Sequence, residues 1–357
     1  MPRQSDATLI EELLAALEPR IRAAFLDAIA DIRDNITLRV VVERLEKGDI
    51  NGAIDAMHLD ADAFAKLELA VREAYNSGGQ ATVANLPRVT DPQGNRVVFR
   101  FGVRNLEAET WLREHSSTLV TRIVDDQREA IRAALSEGLS QGQNPRSTAL
   151  NVIGRISRQS NRREGGIIGL TAAQERYVAN AREELASGDP ARLQGFLGRE
   201  RRDRRFDRTI AKAIREEKPL DQETINRIVG RYSDRLLELR GTMLARTETM
   251  MALSKARDDA IRQQIEAGKL DAQDVTKVWR SAGDMRVRHT HRLLHGKKAP
   301  MDGAFESISG ARLRFPGDPT APASEIINCR CMVEYKVDYL ASVVRRERSR
   351  PFLAEAV

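Results

Sequence analysis

"DQETINRIVGRYSDRLLELRGTMLARTETMMALSKARDDAIRQQIEAGKL", residues 221–270, is followed by a change of grammar, and that change decides the fold. Within the stretch, apolar residues recur at three and four positions, the spacing that builds one face of a helix. We read two helices here, the second running from about Tyr232 to Ala267 and stopped by Gly268. From Asp274 to Val337 the helical period fades, and glycines and prolines accumulate. Short apolar runs such as "VTKVW" and "CMVEYKV" then predict a small sheet.

Upstream, the pattern is helix after helix. Between Ala7 and Ile32, Ile10, Leu13, Leu14, Leu17, Ile21, Phe25 and Ile29 line one side, with Pro19 as a point where the helix can bend. Helical pattern returns from Val40 to Tyr75, broken near Gly48 to Gly52, and "NSGGQATVANLPRVTDPQGNR" reads as loop. "RVVFRFGV", residues 96–103, is β-branched and aromatic and predicts one strand or hairpin. Glu107 to Glu137 is helical again. Asn144 is placed to cap the next helix with Pro145 in its first turn, and Thr171 with Gln174 forms a capping-box pattern.

Composition agrees with this class. Of 357 residues 41% are hydrophobic and only 4% aromatic, enough to bury a sizeable core but poor in the residues that favour sheets. The expected architecture is mainly α with a small α+β C-terminal domain. We divide the chain into a helical region 1–95, a strand or hairpin plus helices 96–230, a C-terminal domain 231–340 and a basic tail 341–357. No apolar run approaches about 18 residues, so no membrane span is expected, and the first residues lack the form of a secretion signal. No Gly-x-x-x-x-Gly-Lys-Ser/Thr loop is present, which removes the common nucleotide-hydrolase reading.

The chemistry gathers in the last block. Both cysteines of the chain, Cys329 and Cys331, stand in "EIINCRCMVEY", and three of the five histidines, His289, His291 and His295, stand in "WRSAGDMRVRHTHRLLHG" after Asp284. In a reducing cytoplasm a Cys-x-Cys pair is a poor disulfide. In an extended strand the two sulfurs fall on one side, and zinc accepts thiolates and imidazole in a tetrahedron. We therefore take Cys329, Cys331 and one of the three histidines as candidate zinc ligands, with Asp284 or a second histidine as the fourth. The alternative is two reduced thiols in a core strand beside hydrogen-bonded loop histidines.

Charge offers a second candidate. The chain carries a net charge of +6, but "RERRDRRFDRTIAKAIR", residues 199–215, carries eight basic and three acidic residues. On a continuous helix Arg201, Arg205, Arg208, Lys212 and Arg215 would share one stripe, with Phe206, Ile210, Ala213 and Ile214 opposite. Such a stripe suits DNA phosphates or an acidic partner surface, or it is a solvated face. No base-reading motif is present, so any DNA contact should be non-specific.

Several of these parts occur in a recognisable order. "ARTE" at 245–248, Trp279, Asp284, Arg288 with His291 and Gly296, and "NCRC" at 328–331 resemble the C-terminal pattern of the Mu F-like phage head morphogenesis family. His295 stands where relatives usually show an acidic residue. The segment from "FGVRNLEAETWLREHSS" through "GGIIGLTAAQ" is similar to the helical region of such proteins, so the resemblance spans roughly 100–337. It implies a few-copy minor head protein of the virion, near the portal vertex, assembled in the host cytoplasm with portal and major capsid protein as partners and no catalytic residues. It also implies that Glu248, Trp279 and Arg288 brace the domain, and that His291 is the histidine to join Cys329 and Cys331 on zinc, with Asp284 as the fourth ligand ahead of His289 or His295. An acidic portal surface is, by the same resemblance, a second candidate partner for Arg201, Arg205, Arg208, Lys212 and Arg215. Two other classes compete with this reading: a metal-dependent nuclease of the His-Asn-His type, and a DNA-binding adaptor without a virion role.

Overall fold

A computed structural model describes residues 4–90, 93–102, 106–157, 160–339 and 341. Among them the chain is mainly helical, with small antiparallel sheets. The order begins α1 (Asp6–Asn35), α2 (Leu38–Glu46), α3 (Ile50–Asp55), α4 (Ala65–Ala84), α5 (Leu106–Ser140) and α6 (Pro145–Ile153). A hairpin of β1 (Arg155–Ile156) and β2 (Arg163–Glu164) follows, then α7 (Ala172–Ala186), α8 (Pro190–Leu197), α9 (Asp207–Glu216) and α10 (Gln222–Glu266). The last part holds β3 (Val275–Arg280), α11 (His289–Arg292), β4 (Lys298–Pro300), β5 (Phe305–Glu306), β6 (Arg312–Leu313), α12 (Ala323–Ile326) and β7 (Met332–Val337).

The sequence-predicted caps form. Asn144 accepts hydrogen bonds from the backbone of Arg146 and Ser147, and Thr171 with Gln174 closes a full capping box. Gly268 turns the chain in the left-handed region (φ 65°) just past α10.

Three local readings need correction. Helix α4 runs through Gly78 and Gly79 to Ala84, where loop was expected. The two glycines are there for close approach: a Cβ on Gly78 would lie 3.3 Å from the Leu253 Cα, and one on Gly79 only 2.2 Å from the Phe101 ring. The expected strand at 96–103 is absent over its described residues, except that Arg96 bridges Thr90. Side chains of α10 meet its backbone instead, with Gln264 bonding both N–H and C=O of Arg100 and Gln263 bonding Gly102. And α10 is one helix of 45 residues, not two. Gly230 does not break it, because it faces Gly165 (φ 70°), where a Cβ would sit 2.7 Å from the Gly230 Cα.

That close approach yields a first prediction. Gly165→Ala combines the left-handed penalty of about 1–2 kcal/mol with a backbone clash worth about 1–3 kcal/mol, so urea unfolding should show a loss of about 3 kcal/mol. Gly48→Ala has the same φ of 70° but open space around it, and should cost only the first part.

The chain does not pack as consecutive blocks. One compact unit takes residues 1–21, 69–113 and 243–357, and another takes 22–68 and 114–242. In the second, Phe25, Ile29, Leu45, Ile54 and Phe64 are fully buried, and the buried Arg33 lies 3.5 Å from Asp234 while donating to the Ile168 carbonyl. In the first, β3 is the middle strand of a β4-β3-β7 sheet, with Lys277 opposite Tyr335 and Trp279 opposite Val333. Trp279, Leu313 and Phe315 are fully buried beneath it, in one cluster with both cysteines. Lys277 is also fully buried, its Nζ donating to the carbonyls of Gly303 (2.7 Å) and Arg314 (3.1 Å), and burial lowers its pKa.

Candidate metal centre

His291 sits in the single turn α11, and the two cysteines lie in the irregular segment that leads from α12 into β7. The approach to that segment is shaped by Asn328, whose backbone takes the left-handed conformation (φ 56°) and whose N–H donates to Thr247 Oγ1 at 2.9 Å. Asn tolerates that conformation better than other side chains, which accounts for its place before the first cysteine. Arg288 donates to the carbonyls of Glu325 (2.8 Å) and Ile327 (2.5 Å), tying α11 to the same segment.

These supports bring three donors together. Cys329 Sγ lies 3.4 Å and Cys331 Sγ 3.5 Å from His291 Nδ1, and all three ligand atoms lie within 4.8 Å of one another. All three residues are buried, at 3%, 1% and 1% exposure for Cys329, Cys331 and His291. No disulfide joins the thiols. Their protons are shared unequally. The hydrogen bond with Cys331 lowers the Cys329 thiol well below its ordinary value, with His291 adding to that against the effect of burial. The same hydrogen bond and burial raise Cys331.

The other face of the imidazole is also built. Nε2 lies 2.8 Å from Glu325 Oε2, off the line of a good hydrogen bond but close enough to act through charge. Glu325 is 3% exposed and is held by the hydroxyls of Ser309 (2.6 Å), Thr290 (3.0 Å) and Ser307 (3.4 Å). Burial alone would raise its carboxyl, but these hydrogen bonds and the His291 charge outweigh it and hold it below the usual range. The Trp279 ring stacks edge-on against His291 (5.1 Å, 76°) and Phe305 (5.2 Å, 71°), which fixes the plane of the imidazole.

Zinc fits this donor set. Bonds of about 2.1 Å to nitrogen and 2.3 Å to sulfur, at tetrahedral angles, separate those ligands by about 3.6 Å. The two Nδ1–Sγ distances match that spacing. A carboxylate on the far ring nitrogen is the usual support of a metal-binding histidine, because it keeps the proton on Nε2 and leaves the Nδ1 lone pair toward the metal. Beside the donors a cavity of about 80 Å³ is lined by Arg286, Arg288, Asn328 and Arg330 among others, with no carboxylate in its wall. It has room for a solvent or exogenous fourth donor.

Asp284, expected as the fourth ligand, is not in the cluster. Both of its oxygens are held by Arg330, at 2.5 and 2.6 Å, and that bond keeps its carboxyl down at about 2. The residue between the two cysteines thus draws the acid away from them. Arg288 does not pair with Asp284 either, since it is committed to backbone carbonyls. His289 is exposed, and His295 is exposed with Nδ1 on Ser281 (3.0 Å to the hydroxyl). Glu248 lies buried on α10, but its neighbour Thr247 makes the hydrogen bond to Asn328. Sequence reasoning missed Glu325 and Thr247. "SEIINCRC" offered a hint of the first, an acid four residues before the first cysteine.

The basic stripe is not one helix. Arg201 lies in a turn, Arg205 in a short 3-10 segment, and only Arg208, Lys212 and Arg215 share α9. The break is made by Asp203, 2% exposed, which accepts from the backbone N–H of Arg205 and grips its guanidinium at 2.6 Å. All five basic residues are exposed, and Ile210 and Ala213 are buried on the opposite side of α9. The tail beyond Ala341, including "RRERSR", lies outside the described residues.

Residues 207–334 match the family described as Phage Mu protein F like protein, a span that contains Trp279, His291, Glu325 and both cysteines. The match starts well after residue 100, where the resemblance was expected to begin. Over 99 residues the chain is 35% identical to the minor head protein GP7 of Bacillus phage SPP1, and that match takes in 26% of this chain and 32% of that protein. No solved structure matches the chain.

Proposed function

We propose, for a chain that carries a Mu F-like segment at residues 207–334, the role of a structural minor head protein of a tailed phage or prophage. In this reading it is present in few copies in the virion head near the portal, and bridges portal, major capsid shell and packaged DNA during assembly in the host cytoplasm. Its C-terminal domain is closed by a zinc ion on His291, Cys329 and Cys331. The observation that carries the reading is the convergence of those three donors, with Glu325 behind the histidine, inside the segment that matches the family. We assign no reaction to the chain. A His-Asn-His nuclease would need a second histidine at the centre, and His289 and His295 stand away from it.

Cross-linking of purified heads followed by peptide mapping tests the placement. The reading expects this chain in virions, with links to portal protein. Its absence from virions that were assembled with the gene expressed would overturn it.

The basic row on α9 supports the DNA part. Arg208 and Arg215 make no ion pair among the described residues, and Lys212 meets Glu216 only at 3.7 Å. Charge reversal at Arg208, Lys212 and Arg215 should leave the fold intact. Every phosphate that is no longer neutralised should reduce the salt slope of DNA binding by about 0.9, so the triple variant should show a slope shallower by up to about 3. An unchanged slope in a salt series would mark α9 as a solvated face.

A further inference from the structure

A second cavity, of about 690 Å³, opens wholly within the unit of residues 22–68 and 114–242, beside β1, α7 and the start of α10. Two half-buried guanidiniums face it without a carboxylate, and the exposed Arg227, which donates to Thr224 Oγ1, also lines it. Arg155 donates to Asn151 Oδ1 (3.0 Å) and the Leu150 carbonyl (3.4 Å), and Arg182 donates to Asn226 Oδ1 (2.7 Å). Neither makes an ion pair among the described residues. The neutral amides hold both groups in place but leave their charge unanswered. Burial lowers both pKa values, and the charge of Arg155 presses Arg182 down further, to about 10.

The acidic residues of the wall are engaged elsewhere or stand at its edge. Asp234 is taken by Arg33 and by the Gly165 N–H, and Glu164 by Ser160 and, at 3.9 Å, Arg231. Glu223 is exposed. Two repelling, partly desolvated cations are a costly arrangement in isolation, and an oxyanion between them removes the cost by accepting paired hydrogen bonds from each planar fork. The cavity is also much larger than one oxyanion needs. Its apolar wall includes Val178, half-buried Phe206 and Ile156, the last 62% exposed, and its volume is that of a small-molecule site.

We infer that Arg155 and Arg182 hold the phosphate group of a nucleotide-sized ligand, with Ile156 and Phe206 covering its less polar part. That phosphate comes either from a free mononucleotide or from a nucleic-acid strand. The site belongs to the other unit and does not depend on the metal centre.

Calorimetric titration of the full chain with deoxyadenosine monophosphate, with inorganic phosphate and with a single-stranded oligonucleotide tests this. The mononucleotide should bind more tightly than inorganic phosphate, which engages only the two forks. Competition by the oligonucleotide for the same site assigns the strand as source, and its failure to compete assigns the free nucleotide. Arg155→Gln and Arg182→Gln should each weaken binding at least about tenfold, the effect of removing one charge-assisted hydrogen bond. Without ligand, Arg182→Gln should melt at the same temperature as the parent or higher, because it relieves the repulsion from Arg155. A merely structural arginine would behave the opposite way. The inference is overturned by no binding of any of the three probes at millimolar concentration, by Gln variants that bind as the parent does, or by lower ligand-free melting of both.

Discussion

His291→Ala is expected to release the bound metal and to lower the melting temperature by about 10 °C, from a loss of roughly 4 kcal/mol of the kind seen when a structural metal is removed. Several terms add in one direction. The variant removes one of three gathered donors, leaves a cavity against Trp279 and strands the buried carboxylate of Glu325. The loop between His291 and Cys329 spans 38 residues and is rich in glycine and proline, so its closure by an ion restricts the unfolded chain strongly. Cys329→Ser should act alike with a smaller packing loss. Hydrogen exchange should localise the damage, with amides of residues 274–337 losing protection while those of α2 and α7 keep theirs. Equal loss of protection throughout would mean that the three residues serve the whole chain and not the C-terminal domain.

Glu325→Ala is the second large effect. Glu325 touches no proposed metal position, yet its removal should lower metal affinity about 10- to 100-fold, the range for deleting a carboxylate behind a ligating histidine. The same change leaves the hydroxyls of Ser307, Ser309 and Thr290 without their acceptor in a buried site. Glu325→Gln separates these roles, because it keeps an acceptor for the hydroxyls but removes the charge facing His291. Its fold should survive while metal affinity falls. Acid titration gives an independent check. Since the folded carboxyl is held below its usual value, its contribution is present above about pH 4.3 and is lost as pH falls through the lowered folded value. The Gln variant should lack that part of the acid limb. If it binds metal as well as the parent, Glu325 is a hydrogen-bond hub only.

The centre was legible in part, for local reasons. Cys329 and Cys331 are two apart in a segment entering a strand, and the strand patterns of "VTKVW" and "CMVEYKV" mark β3 and β7, which pair with each other. What sequence spacing cannot show is who competes for a side chain. Asp284 is near His291 in sequence, but Arg330, 46 residues away, takes both of its oxygens. Lys277 alternates like a solvent-facing strand residue, and only the fold reveals two carbonyls waiting for its ammonium. Glycine misled for the same reason. Gly230 and the Gly78–Gly79 pair look like helix breaks, yet each marks where another backbone or ring comes too near for a Cβ. The basic stripe failed because a single buried acid, Asp203, turns the chain before α9 begins.

Elemental analysis of the full chain, purified under reducing conditions without chelator, is the most direct test of the proposed metal clamp at His291, Cys329 and Cys331. The account predicts about one equivalent of zinc per chain, lost in His291→Ala and Cys329→Ser. Less than about a tenth of an equivalent of any transition metal, in protein whose two thiols titrate as free, would contradict it and leave His291, Cys329 and Cys331 as a hydrogen-bonded core cluster.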